Sequence, residues 1–154
     1  CDTISIMDED LPAGKIKRLI LNEMVRISGG ALDNIVLHSQ NASDEYQPQV
    51  RAAHWILTKD YATYEHFRFE DYYRLWQRYA LAVLYFSTSG TEWTSPNFAI
   101  KTHECLWYGI TCHADRITTI NVTNSNLRGT IPKEIGILSA LTKLDMSSNE
   151  YLAG

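Results

Sequence analysis

No run of apolar residues in this chain approaches the roughly 18 that a membrane-spanning helix needs. The longest, Tyr79 to Phe86, suits a buried helix instead. A phosphate-cradling glycine loop, a nucleophile elbow and a His-Glu-x-x-His pair are all missing. The histidines at 38, 54, 66, 103 and 113 stand singly. Glu70 and Asp71 are sequence neighbours, so on a helix they point apart. They better suit the favourable charging of a helix start than acid–base work. These absences predict a protein without catalytic residues, cofactor or metal. Positive charge is not in excess: 14 Lys and Arg against 18 Asp and Glu leave a net charge of −4. That balance argues against nucleic acid or an anionic membrane as the main partner. Neither an initiator Met nor a signal-peptide pattern opens the chain, which starts at Cys1. The expectation is a fragment or a processed product that has lost its targeting segment, with membrane anchorage of the parent left open.

What is present points to a folded chain. Its 154 residues suit one domain, or a small domain with an appendage. Hydrophobic residues at 45% and charged ones at 21% favour folding over disorder. Nine Tyr and four Trp crowd mainly between Trp55 and Tyr108, which predicts a thick core there. Asp10-Leu11-Pro12 opens a helix in which Ile16, Leu19, Ile20 and Ile27 recur at helical spacing, and Gly29-Gly30 ends it. A polar loop follows from Asn41 to Gln47. The second helix is expected from Pro48 to Thr58, with Val50, Ala53 and Leu57 on one side. An aromatic loop from Asp60 to Glu70 leads to a third helix, from about Asp71 to Thr88. There Leu75, Tyr79, Val83 and Phe86 form a stripe that Trp76, Ala80 and Leu84 widen. So wide a stripe predicts burial on most sides. Ser89-Gly90 stops it, and Thr91 to Glu104 reads as an irregular link.

Beyond Cys105-Leu-Trp-Tyr-Gly-Ile-Thr-Cys112 the pattern changes. Ile117-x-x-Ile120-x-Val122 is followed by Asn126-Leu127-x-Gly129-x-Ile131-Pro132 and Ile135-Gly136-x-Leu138. The same spacing restarts at Leu141-x-x-Leu144-x-Met146-x-x-Asn149, a period of about 24 residues and within the leucine-rich-repeat range. Apolar residues at the first, fourth and sixth places turn one side of a short strand into a core. Only stacked units bury that side. Ile117 to Thr123 and Leu141 to Ser147 are therefore predicted to be adjacent parallel strands, with Lys133 to Leu138 as a helical return. Further repeats are expected to follow the last one.

The cysteine motif and repeats resemble plant-type leucine-rich-repeat ectodomains, whose N-terminal cap ends in a Cys-x-Trp-x-Gly-Val-x-Cys-like motif. Here Cys105, Trp107, Gly109, Ile110 and Cys112 occupy it. The chain resembles the leucine-rich-repeat proteins of diatoms and related algae still more. Those carry a helical segment resembling Pro48-Gln-Val-Arg-Ala-Ala53-x-Trp55-Ile-Leu57 and then a block resembling Gln77-Arg-Tyr-Ala-Leu-Ala-Val-Leu-Tyr-Phe-Ser-Thr88, which leads to Trp93 and the Cys motif. The likeness runs from about residue 16 to residue 152. Two places depart from the pattern: Ser125 replaces an Asn, and Ala153 replaces a Gly. The displaced Gly154 suggests one inserted residue. The resemblance implies an α+β chain: a helical N-terminal cap region at 1–104, a Cys-motif junction at 105–116 and the start of a leucine-rich-repeat solenoid with short parallel strands at 117–154.

By residue type alone, Cys105 and Cys112 are open to three readings: reduced core cysteines, zinc ligands with His103 and His113, or a disulfide. The histidines sit closer to their cysteine neighbours than finger spacing allows. The resemblance implies the disulfide, a small loop that removes chain entropy on the order of 2–3 kcal/mol at most. Cys1 is then the odd cysteine, paired outside this sequence or free. Trp93 and Trp107 are expected to be buried where cap meets repeat, with Gly109 and Pro132 as structural positions. Asn41-Ala-Ser43 and Asn121-Val-Thr123 are N-glycosylation sequons. In resembling receptors the outward strand places, here Thr119, Asn121, Thr123, Lys143, Asp145 and Ser147, face the ligand, although they equally describe solvated surface. A glycan at Asn121 would obstruct that face. The function implied is non-catalytic binding of a protein or small ligand by a receptor-like or secreted protein, at the cell surface or otherwise outside the cytosol. The alternative is a structural subunit docked in a larger membrane complex in an oxidising organelle lumen. Its contacts would come from cap aromatics such as Tyr61, Tyr64, Phe67 and Tyr72. A third reading is an enzyme whose site lies elsewhere in the parent gene.

Overall fold

The computed structural model describes residues 22, 26, 47–60, 72–99 and 102–154. Asn22 and Arg26 are helical; the rest of the helix expected after Asp10, the loop with Asn41, the aromatic stretch with Tyr61, Tyr64 and Phe67, and Glu70 and Asp71 lie outside the described residues. So do the side chains of Leu57 and Tyr72.

Helix α1 (Pro48–Thr58) follows an extended Gln47 and starts with proline. The fixed φ of proline suits a first helical turn, where its missing N–H costs no intrahelical bond. Helix α2 (Tyr72–Ser87) is the centre of the fold. All six residues from Tyr79 to Leu84 are 0% exposed, so α2 is covered on every side. Val50, Ala53 and Ile56 of α1 pack with Leu75, Tyr79 and Val83 on one side. On the other side Ala80, Leu81 and Leu84 join Trp93, Phe98, Trp107 and the strand residues Ile117, Ile120 and Val122. The helix ends where Thr88 Oγ1 donates to the Leu84 carbonyl at 2.6 Å and Ser89 turns left-handed, with φ 56°.

The link expected to be irregular contains two 3-10 turns, Gly90–Glu92 and Glu104–Leu106. Strand β1 (Ile110–His113) then pairs antiparallel with β2 (Arg116–Asn121). Strand β3 (Arg128–Thr130) leads to a 3-10 turn at Lys133–Ile137, then to β4 (Lys143–Asp145) and β5 (Tyr151–Ala153). The first sheet has the order β1-β2-β4, with β2 and β4 parallel, and β3 and β5 form a second parallel pair. The described residues are thus α+β, and neither sheet closes on itself.

Two expectations need correction, and the strands add features that the sequence did not announce. The Cys-motif segment at 105–116 carries β1. The hairpin to β2 turns through Ala114 and Asp115, with φ of 47° and 59°, the two positive angles that a tight two-residue hairpin requires. The parallel strands are shorter than 117–123 and 141–147. Their ladder nonetheless extends past the strand ends, from Thr142 N–H to the Thr118 carbonyl at 2.9 Å and from Asn124 N–H to the Ser147 carbonyl at 3.0 Å. The second repeat gains no inserted residue. Thr119 pairs with Lys143, an offset of 24, whereas Arg128 pairs with Tyr151, an offset of 23. That tighter register sets Leu152 against the core and the Tyr151 ring 4.7 Å from the Arg128 guanidinium. Burial differs between the repeats. Ile117, Ile120 and Val122 are fully buried, but Leu144 is 41% exposed, since no described strand lies beyond β4.

Candidate functional site

The junction between helices and strands is built around Trp107. A disulfide joins Cys105, in the second 3-10 turn, to Cys112 on β1, with Cα atoms 5.6 Å apart. Trp107 lies inside this loop and is 2% exposed. Its indole N–H donates to the Thr102 carbonyl at 3.2 Å, and its ring meets Phe98 at 5.2 Å and the edge of Trp55 at 6.0 Å. Trp93 is also buried, bonded through its N–H to the Thr88 carbonyl at 3.0 Å and packed on Phe98 at 4.7 Å. Gly109 has φ 74°, and a Cβ there would lie 2.0 Å from the Asn121 carbonyl oxygen. Only glycine lets β2 come this close, and the Gly109 carbonyl accepts the Asn121 N–H at 2.8 Å. Pro132 precedes the Lys133–Ile137 turn, and its carbonyl accepts from Ile135 N–H at 3.3 Å.

Beside Trp107 lies a buried ionic cluster that sequence reading missed. Arg78, 1% exposed, grips Asp60 through Nε and Nη2 at 2.5 and 2.6 Å. Its Nη1 donates to Glu104 at 3.0 Å and to the Thr102 carbonyl at 2.9 Å. Arg74 holds both Glu104 oxygens, at 3.1 and 3.0 Å. Gln77 bonds Glu104 and the Asp115 carbonyl, and accepts from Ile117 N–H at 2.8 Å. The Arg78 guanidinium lies 4.8 Å from the Trp107 ring centroid. Burial by itself would raise the Glu104 carboxyl. The Arg74 hydrogen bonds, a backbone bond and the charges of Arg74 and Arg78 outweigh it and hold Glu104 below the usual carboxylate range. Charges this deep persist only when paired. The cluster therefore ties α2, the Glu104–Leu106 turn and β2 into one unit.

On the strand face, register sets Thr119 beside Lys143 and Asn121 beside Asp145. Both repeats carry the same local bond: Asn121 Oδ1 accepts from Thr123 N–H and Oγ1–H, and Asp145 Oδ1 accepts from Ser147 N–H and Oγ–H. The Ser147 side-chain and backbone bonds, with the nearby Lys143 charge, hold the Asp145 carboxyl below its ordinary range. These bonds fix side-chain directions. Asn121 is exposed, and Asn41 lies outside the described residues.

Asn149 locks the repeats together. Its Oδ1 accepts from the N–H groups of Ser125 and Leu127 at 2.9 and 3.0 Å, and its Nδ2 donates to the Val122 and Met146 carbonyls at 2.9 and 2.7 Å. Ser125 fills the corresponding place one repeat earlier, where its neighbour is the cap. A short hydroxyl suffices there: Oγ meets Ser95 Oγ at 2.6 Å, and the Ser125 carbonyl accepts from Thr94 N–H.

The disulfide occupies both sulfurs, so the set His103, Cys105, Cys112 and His113 offers no thiolate. Among the described residues, His103, Cys105 and Asp115 instead bring ligand-type atoms within 4.8 Å of one another.

No protein-family profile matches the chain, and neither does any solved structure. Over 48 residues it is 49% identical to a probable leucine-rich repeat receptor-like protein kinase of Arabidopsis thaliana, covering 30% of this chain and 5% of that protein. Over 58 residues it is 34% identical to the leucine-rich repeat receptor protein kinase EMS1 of the same plant, covering 38% of this chain and 5% of that one. Over 59 residues it is 32% identical to Protein MALE DISCOVERER 1, also from Arabidopsis thaliana, covering 37% and 8%. The chain thus spans only 5 to 8% of the length of these curated relatives. About a third of this chain is similar to plant leucine-rich-repeat receptor proteins.

Proposed function

We infer that this chain is the helical cap, at 1–104, the Cys-motif junction, at 105–116, and the first repeats, at 117–154, of a leucine-rich-repeat solenoid that binds a protein or small ligand without catalysing its conversion. The observation that carries this is Asn149, whose side chain bonds backbone groups of both repeats and so holds the two strands in register. The plant receptor relatives support the same class. On this view Thr119, Asn121, Thr123, Lys143, Asp145 and Ser147 meet the ligand. The disulfide and the receptor-like relatives are compatible with a secreted or cell-surface setting. The resemblance to diatom proteins belongs to the same proposal. Among the described residues no helix is long and apolar enough to cross a membrane.

A second reading, a subunit docked through its cap, draws on Leu106 and Tyr108 of the adjoining junction, which are 73% and 43% exposed. Variants separate the two. Asn121→Arg and Lys143→Glu should release the native partner while Leu106→Asp and Tyr108→Asp retain it. The reverse pattern overturns recognition by the strand face. Intact mass before and after deglycosylation tests secretory routing through Asn41 and Asn121.

A further inference from the structure

We propose that opening the Cys105–Cys112 disulfide turns the cap junction into a zinc-type metal site with Cys105, Cys112, His103 and Asp115 as its four ligands. Ligand atoms of His103, Cys105 and Asp115 already lie within 4.8 Å of one another, and the Cys112 sulfur is bonded to that of Cys105. Two sulfurs, one imidazole and one carboxylate form a donor set that suits tetrahedral zinc. His103 Nε2 and Asp115 Oδ1 face each other at 3.8 Å. Asp115 sits at the hairpin turn with its side chain 65% exposed, so it has room to adjust.

The second layer is also in place. His103 Nδ1 lies 3.7 Å from Glu104 Oε2, and Glu104 is itself gripped by Arg74 and Arg78. Nδ1 now accepts the Cys105 N–H at 3.2 Å. With Nε2 on a metal, Nδ1 carries the proton and turns it toward Glu104, the carboxylate–histidine–metal arrangement that orients such ligands.

Chemically, a dithiol reductant gives two electrons and two protons to the disulfide. The reductant leaves as its own cyclic disulfide, and Cys105 and Cys112 become thiols. The metal ion then displaces both thiol protons to solvent and binds two thiolates. One junction would hold the same loop by a covalent bond under oxidising conditions and by a metal under reducing ones.

The test uses the full chain with Cys1→Ser, reduced with dithiothreitol, desalted anaerobically and titrated with cobalt(II), then zinc. The reduced protein should take up one cobalt with a thiolate-to-metal charge-transfer band and the intense visible bands of a tetrahedral ion, and zinc should bleach both. The oxidised protein should show neither. His103→Gln and Asp115→Asn should each weaken zinc binding about tenfold or more. If reduction loosens the junction, metal should restore its near-UV dichroism. Absence of the charge-transfer band in the reduced chain overturns the proposal. So does unchanged zinc affinity in both His103→Gln and Asp115→Asn, or a charge-transfer band that persists in Cys105→Ser/Cys112→Ser.

Discussion

Trp107 shows how one residue governs the junction. Its ring fills the space between Trp55, Phe98 and Arg78, so Trp107→Ala leaves a cavity that the disulfide loop cannot close. The expected cost is about 3–5 kcal/mol, read as a lower melting temperature. An unchanged melting temperature would refute the packing role. Asn149 acts by hydrogen bonding instead. Asn149→Ala strands the Ser125 and Leu127 N–H groups together with the Val122 carbonyl, and should cost about 1–3 kcal/mol in denaturant unfolding. Asn149→Asp should not rescue it, since a carboxylate has no hydrogens for Val122 and Met146. Equal stability of Asn149→Asp and wild type would show that the donor half of the ladder carries nothing. The asparagine was legible in the sequence as a repeat position. The role of Ser125 was not, because its partner Ser95 is 30 residues away in a link that carries no periodicity.

Among the elements, α2 was the most legible, because a stripe of apolar residues that wide has only one outcome, burial. Val83→Asp places an unpaired carboxylate where exposure is 0% and should unfold the cap. Normal near-UV dichroism in that variant would contradict the placement. Strands β2 and β4 were legible from the repeat of Ile117, Ile120 and Val122 at Leu141, Leu144 and Met146. Strand β1 was hidden. Its hairpin turn uses Ala114 and Asp115 at positive φ, where asparagine and glycine would have announced it. β3 and β5 were hidden too, since strands of three residues are too short to show alternation.

For the whole molecule, the binding of helices to strands rests on groups that no local pattern connects. Arg78 reaches 18 residues back to Asp60 and 26 forward to Glu104. As isolated charges these residues read as surface, and only the folded chain brings them together. The cluster makes stability sensitive to acid. Glu104 titrates lower in the folded chain than in the unfolded one, where the ordinary value is 4.5. Its contribution is therefore complete above that value and is lost as pH falls through the lower folded value. Wild type should lose more stability than Glu104→Gln between neutral pH and roughly pH 3, measured by denaturant unfolding. Parallel pH profiles would remove Glu104 as the acid-sensitive group. The central claim is that this unit presents its strand face to a partner, and the structure of the native complex tests it most directly. Partner contacts are predicted on Thr119, Asn121, Lys143, Asp145 and Ser147. Contacts confined to the cap and to Leu106 and Tyr108 of the junction, with the strand face open to water, would contradict it.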